Sequence, residues 1–329
     1  MMAIFPAPAV RLSPFFRTFA PAMKPLISFI ITYHDEPETF LQTCLDSICA
    51  LPLREGEGEV IIVDDGSDVP FSSLFHERGD FMVFRQEQAG LSAARNTGLS
   101  HASGRYIQFV DADDCLIPSA YEVVLNQVRS EQADVVMFWE TKTNRHWREK
   151  LIPWINICGK RCSVNKEEWT GSSFLQNSNL RAAAWGYAFR REVLGDLRFC
   201  PGLLHEDELF TPLLFLRADT LVDLRVKAYF YRQHSGTITS SKSSVKIQRR
   251  LNDIHCIISK LKSYNNPLLE RRVRQLTVDY LQKAWTQTHS IGELYRRCRE
   301  LRTEGLLPLP LKCYSLRYLL ASFLFRFCL

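Results

Sequence analysis

Three short apolar runs in the first third of the chain, residues 26–31, 60–63 and 106–110, each stop abruptly at a polar cluster. The clusters are Thr32 to Glu36, Asp64 to Asp68 and Asp111 to Asp114. Runs this short, rich in Ile, Val, Phe and Tyr, read as strands buried on both faces. Between them the apolar spacing turns helical: Leu41, Cys44, Leu45 and Ile48 mark a helix over 40–51, and residues 91–100 a second. A further strand is expected at 81–84. Strands alternating with helices through short connections predict an α/β fold with a mostly parallel central sheet flanked by helices. In such sheets the ligand crevice lies beyond the carboxyl ends of the strands, where all three clusters fall.

The run Tyr106-Ile-Gln-Phe-Val-Asp-Ala-Asp-Asp114 is the most specific of the three. Asp111 and Asp113 sit two apart at a strand end, so they can point into one space. Carboxylates that close repel unless something positive lies between them. A divalent cation holding a diphosphate answers that need, because hard cations take oxygen ligands and leave positions for substrate phosphates. Taken alone, the same residues could equally form an acidic turn that caps the next helix.

Further along, a helix at 121–129 and a strand at 133–139 lead into 141–166, an irregular stretch rich in Trp, Lys and Arg. Segments of that kind inside a compact unit are usually functional loops. Order resumes over 182–193, followed by a helix at 206–216 and a strand at 221–231. From 245 onward the pattern is helical, broken at 306–311 by two prolines. The expected organisation is a main unit over 23–240, divided near 135/136, a basic helical extension over 241–310 and an amphipathic helix over 311–329. Residues 1–22 hold four prolines, no helical period and no secretory pattern. Translation is expected to begin at Met23, with the preceding stretch disordered or artefactual.

The composition is that of a soluble globular protein, 46% hydrophobic and 23% charged. The charge is unevenly spread: residues 240–329 carry 17 Lys/Arg against 6 Asp/Glu, while the remainder carries 24 against 30. A basic tail on an acidic body points to an anionic partner surface. No basic helix is interleaved with base-stacking aromatics, so lipid is expected and nucleic acid is not. In the last helix Leu316, Leu319, Leu320, Phe323, Leu324 and Phe327 form one stripe, with Arg317 and Arg326 about 90° to either side at ~100° per residue. Such a helix either lies in a membrane interface with its arginines reaching the phosphates or packs on the core. The ten cysteines are scattered; Cys158 and Cys162 have no second pair at zinc-site spacing, and Cys44, Cys49 and Cys256 read as small core side chains. Reduced thiols imply a cytosolic protein, peripheral on the inner face of the membrane.

Four blocks in order resemble the inverting family 2 glycosyltransferases of the GT-A fold. They are Ser28-Phe-Ile-Ile-Thr-Tyr-His-Asp35 with Cys44-Leu-Asp-Ser-Ile48, and Glu59-Val-Ile-Ile-Val-Asp-Asp-Gly-Ser67. Next come Gly90-Leu-Ser-Ala-Ala-Arg-Asn-Thr-Gly98 with the run ending at Asp114, then His205-Glu-Asp-Glu-Leu-Phe210 with the segments 229–232 and 235–238 behind it. The resemblance covers about residues 26–240. It implies a nucleotide-diphospho-sugar donor, usually a uridine diphosphate sugar, bound by the 23–135 half. It also implies a saccharide or lipid-linked saccharide acceptor served by the 136–240 half, in surface-polysaccharide synthesis. Thr32 and His34 would border the base, where the family has Pro-x-Tyr-Asn. Asp64 or Asp65 would accept the uracil imide N–H, the other fixing the turn. Arg95 would pair with that aspartate or with phosphate. Asp113 would coordinate Mn²⁺ or Mg²⁺, Asp111 would reach ribose or metal-bound water, and His234 would add a further metal or phosphate contact. Asp207 would be the general base that deprotonates the acceptor hydroxyl. Its neighbours Glu206 and Glu208 would raise its proton affinity, with Glu206 expected to point away from the site.

Two other classes fit the residues less well. A catalytically silent scaffold of the same fold would lack the acids that are present here. A sugar nucleotidyltransferase needs a glycine- and lysine/arginine-rich phosphate loop after the first strand, and Thr32 to Glu36 is acidic instead.

Overall fold

The computed structural model describes residues 24–75, 81–143, 165–233 and 243–327. The N-terminal stretch 1–22, most of the irregular segment, Cys158, Cys162 and His234 lie outside the described residues. The elements run β1 (Ile27–Tyr33), α1 (Glu38–Cys49), β2 (Gly58–Asp65), a single turn α2 (Phe71–Leu74), β3 (Met82–Gln86), α3 (Leu91–His101) and β4 (Tyr106–Asp111). They continue with β5 (Cys115–Leu116), α4 (Pro118–Arg129), β6 (Val135–Thr143), β7 (Glu167–Trp169), α5 (Gly171–Asn177), β8 (Tyr187–Arg190), α6 (Arg191–Leu194), α7 (Asp207–Leu216) and β9 (Leu221–Arg232). Four helices close the described chain: α8 (Ser244–Ser263), α9 (Glu270–Thr288), α10 (Ile291–Thr303) and α11 (Leu316–Phe327).

One sheet holds all nine described strands, in the order β3-β2-β1-β4-β8-β6-β9-β5, with β7 also on β9. The four N-terminal strands are parallel. β8 runs antiparallel to both β4 and β6, β6 and β9 are parallel, and β5 and β7 pair antiparallel with β9. The parallel half matches the expectation from the apolar runs. β5, β7 and β8, of two to four residues, are too short to show a period of their own.

Alternation along the strands divides the core between the two faces of the sheet. Ile30 of β1 joins α3, α7 and the C-terminal helices, while Phe29 and Ile31 join α1 and α4. The C-terminal helices have no separate core: Leu251, Leu276, Leu301 and Tyr318 pack in the same cluster as Ala94 and Phe210. α3 approaches β1 so closely that a Cβ at Gly98 would fall 2.3 Å from Ile30 Cγ2. Of the three cysteines expected in the core, Cys44 is buried, whereas Cys49 and Cys256 are half-buried; the seven described cysteines are free thiols.

α11 is apolar on both sides. Tyr318, Ala321, Ser322 and Phe325 turn inward and are buried. The stripe expected from the sequence lies opposite, with Leu316, Leu320, Phe323 and Leu324 at 59–72% exposure. Packing on the core and presenting an apolar face therefore occur together, through different residues.

Candidate active site

β1, β2 and β4 end side by side, so their last residues share one edge of the sheet. Thr32 stands between Val63 of β2 and Asp111 of β4 in the register of the sheet. Beyond β4 the chain turns back on itself, the Asp114 N–H bonding the Asp111 carbonyl at 3.0 Å. The turn leaves Asp111 and Asp113 half-buried and sinks Ala112 and Asp114. Asp114 accepts the Arg232 amide N–H at 2.7 Å and so ties the acidic turn to the end of β9. The Asp111 amide N–H is held by the Tyr229 hydroxyl at 3.1 Å.

The second cluster builds a rigid cradle. Asp64 accepts the amide N–H groups of Ser67 (2.9 Å) and Phe71 (3.0 Å) and a guanidinium N–H of Arg85 (2.9 Å). Burial opposes its ionisation, yet these donors hold its carboxyl below the usual range. Asp65 accepts from Gln86 (2.7 Å) and from the amides of Ala89 (2.9 Å) and Gly90 (2.8 Å), which fixes the start of α3. Asp64 is thus the turn-fixing member of the pair. Asp65 keeps spare acceptor capacity only on Oδ2, which takes a single bond. Gly66 has φ +72°, and a Cβ there would lie 2.7 Å from the Gln88 amide nitrogen. Gln88 in turn meets the exposed His34 ring at 2.8 Å, while Asp35 accepts the Asp68 N–H at 2.7 Å and joins the first two clusters.

Of the partners expected for Arg95, the aspartate of the second cluster is not used; it pairs with Asp111 and Glu206 instead. The residue is 3% exposed, and its guanidinium packs beside the edge-to-face pair Phe109 and Phe199, 5.6 and 5.3 Å from their centroids. Nη2 donates to Asp111 Oδ1 at 2.9 Å and Nη1 donates to Glu206. A second correction follows: Glu206 does not point away. As the residue preceding α7 it is itself buried and faces the same guanidinium as Asp111. The sequence spacing assumed a helix through 206, whereas the left-handed backbone at His205 (φ +64°) redirects the chain into the site.

Asp207 opens α7 and is half-buried, with no hydrogen bond to its carboxylate from the described residues. Its two neighbours are each neutralised by an arginine from elsewhere, Glu206 by Arg95 and Glu208 by the buried Arg272 of α9. Burial first, then the charges of Glu206 and Glu208, push the Asp207 proton affinity well up, against the pull of Arg95. Nearby, burial pushes Glu36 up to about 7, with Asp113 and Asp111 adding repulsion. Asp111 is raised by burial against the pull of Arg95, and Asp113 adds to the rise. Neither the pairing partner of Glu208 nor the role of Glu36 was visible in the motifs, since both depend on contacts between distant segments.

A divalent cation fits this rim on charge and chemistry. Asp111 and Asp113 could offer hard oxygen ligands, and Glu36 and Asp114 add further carboxylate charge beside them. Among the described residues, no three His, Cys, Asp or Glu side chains are arranged as a metal cage.

The sequence profile described as "Glycosyl transferase family 2" matches residues 28–197, just over half of the chain. Glycosyltransferase GlyA of Streptococcus pneumoniae is 28% identical over 214 residues, covering 61% of this chain and 30% of GlyA. The uncharacterized glycosyltransferase EpsJ of Bacillus subtilis is 27% identical, over 66% of this chain and 64% of EpsJ. This chain thus spans less than two thirds of either relative. The crystal structure of S. aureus TarS 1–349 in complex with UDP-GlcNAc superposes with a TM-score of 0.63 at 19% identity, over 92% of this chain and 90% of that one. That likeness shows the fold in common, a GT-A arrangement. By the extent of the profile match and the order of its motifs, the chain belongs to glycosyl transferase family 2.

Proposed function

We propose that the protein is an inverting glycosyltransferase, moving a sugar from a nucleotide-diphospho-sugar, a uridine diphosphate sugar by preference, to a hydroxyl of a saccharide or lipid-linked saccharide. The observation that carries this reading is the convergence of Asp111 and Glu206 on Arg95. It draws the acidic turn of β4 and the start of α7, with Asp207, to one rim of the sheet. The solved TarS relative holds UDP-GlcNAc, which supports a uridine donor here. Asp65, His34 and Thr32 would border the base, and Asp111 would face the ribose.

In this reading Asp113, with Asp111, holds Mn²⁺ or Mg²⁺. When bound, the ion neutralises the diphosphate and stabilises the charge that grows on it as leaving group. Asp207 takes the proton from the acceptor hydroxyl as oxygen attacks the anomeric carbon from the face opposite the diphosphate. Its raised proton affinity brings it toward the working range, and Glu206 and Glu208 are kept from competing by their arginines. The unit over 23–135 would bind donor, and that over 136–240 would receive acceptor.

The acceptor would be presented at an anionic membrane surface, as expected for surface-polysaccharide synthesis on the cytoplasmic side. No helix among the described residues is long and apolar enough to cross a membrane. The outward face of α11 supports interfacial contact, since its apolar stripe is bordered by the exposed Arg317 and Arg326. Release of nucleoside diphosphate from a panel of activated sugars, with Mn²⁺ and with lipid-linked or free saccharides, tests the whole reading. A family of donors yielding no release with any acceptor would overturn it.

A further inference from the structure

The Arg95 guanidinium has one carboxylate on each side and no bidentate partner: Asp111 at 2.9 Å through Nη2, and Glu206 through Nη1. The edge-to-face pair Phe109 and Phe199 packs beside it, 5.6 and 5.3 Å from their centroids, and keeps Arg95, at 3% exposure, away from solvent. Glu206 is separated from Arg95 by 111 positions and belongs to the 136–240 half of the unit. This geometry raises an electrostatic question. A buried guanidinium bonded to Asp111 competes with any cation that would use the same carboxylate. Were Arg95 alone, one of the two negative charges of Asp111 and Asp113 would already be spent.

We infer that Glu206 is a positioning residue for the cation site: by neutralising Arg95 it leaves the full double charge of Asp111 and Asp113 available to a dication. The inference rests on the metal reading proposed above, and assigns to Glu206 a role separate from that of the base beside it. A partner one shell out from a metal ligand typically alters metal affinity by about 10- to 100-fold when it is lost. Glu206→Gln keeps the shape and an acceptor oxygen but leaves Arg95 unbalanced against the ion.

The experiment is Mn²⁺ binding in the presence of UDP, followed by calorimetry, on wild type, Glu206→Gln, Glu206→Asp and the double variant Arg95→Met/Glu206→Gln. Thermal unfolding is run on each. Glu206→Gln is expected to lose about 10- to 100-fold in Mn²⁺ affinity, and Glu206→Asp to recover most of it. The double variant removes both charges and places an apolar side chain beside the two rings, an exchange buried ion pairs often tolerate. It should bind Mn²⁺ more tightly than Glu206→Gln. A purely structural role predicts the reverse order, with the double variant no better than the single. Wild type that binds Mn²⁺ together with an unchanged Glu206→Gln would remove this inference alone. Wild type that binds no Mn²⁺ would remove the metal reading, and this inference with it.

Discussion

Arg272, in the first turn of α9, pairs with Glu208, the residue that follows the proposed base on α7. The same guanidinium donates to the Leu180 carbonyl at 3.0 Å, and on α8 the Asp253 carboxylate accepts the Leu204 N–H at 3.1 Å, just ahead of the base. The basic C-terminal helices therefore hold both sides of the segment that carries Asp207.

Arg272→Met tests that link. Removing the guanidinium leaves Glu208 without its cation and should cost about 1.5–3 kcal/mol in urea unfolding. The uncompensated Glu208 would raise the Asp207 proton affinity further, so the acid limb of kcat/KM should move to higher pH. A stability loss with an unmoved acid limb would separate the scaffold role from the electrostatic one.

Stability should fall with rising pH in the absence of metal. Glu36 binds its proton up to about 7 in the folded protein, against an ordinary 4.5. Between those values the folded state holds more protons than the unfolded state, so its stability is complete below the lower value and declines toward the upper one. Asp207 and Asp111, also raised, act in the same sense. Thermal melts from pH 4.5 to 7 should show Glu36→Gln flattening part of the slope, and saturating Mn²⁺ should flatten it further by stabilising the ionised acids. A stability that climbs over this range would contradict the charge balance described.

Much of this architecture was legible because it is written locally. The apolar runs that became β1, β2 and β4, and the acidic clusters at their ends, need no knowledge of the rest of the chain. Asp111 and Asp113 are both half-buried, with Ala112 buried between them. What could not be read were the long pairings. The motifs offered Arg95 an aspartate of the second cluster or a phosphate, and its pairing with Glu206 depends on a left-handed residue at His205. Arg272 sits on a helix whose spacing shows a core face but not which acid it meets. The stripe of α11 was seen, yet not that the opposite side of the same helix does the packing.

Gly66→Ala should weaken nucleotide binding more than it weakens the fold. The left-handed φ of +72° and the 2.7 Å approach to the Gln88 amide leave no room for a methyl group. Relief must come from the loop that carries Gln88 to His34. UDP affinity by calorimetry is expected to drop severalfold, with unfolding shifted by about 1–3 kcal/mol. Unaltered UDP affinity would place the base elsewhere.

Leu320→Glu/Phe323→Glu tests the outward face of α11. Both side chains are exposed, so stability should change by only about 0.5 kcal/mol. Cosedimentation with vesicles containing anionic lipid should fall sharply, while turnover on a soluble acceptor stays near wild type. Equal vesicle binding by the variant would dismiss the interfacial role.

The central claim is that Asp207 moves a proton while the acids of the β4 turn hold the donor, and one variant separates the two. Asp207→Asn, assayed for UDP and Mn²⁺ binding by calorimetry and for sugar transfer under saturating donor, should bind nearly as wild type and lose about 10²- to 10⁴-fold in kcat. Transfer at a wild-type rate by that variant would contradict the account.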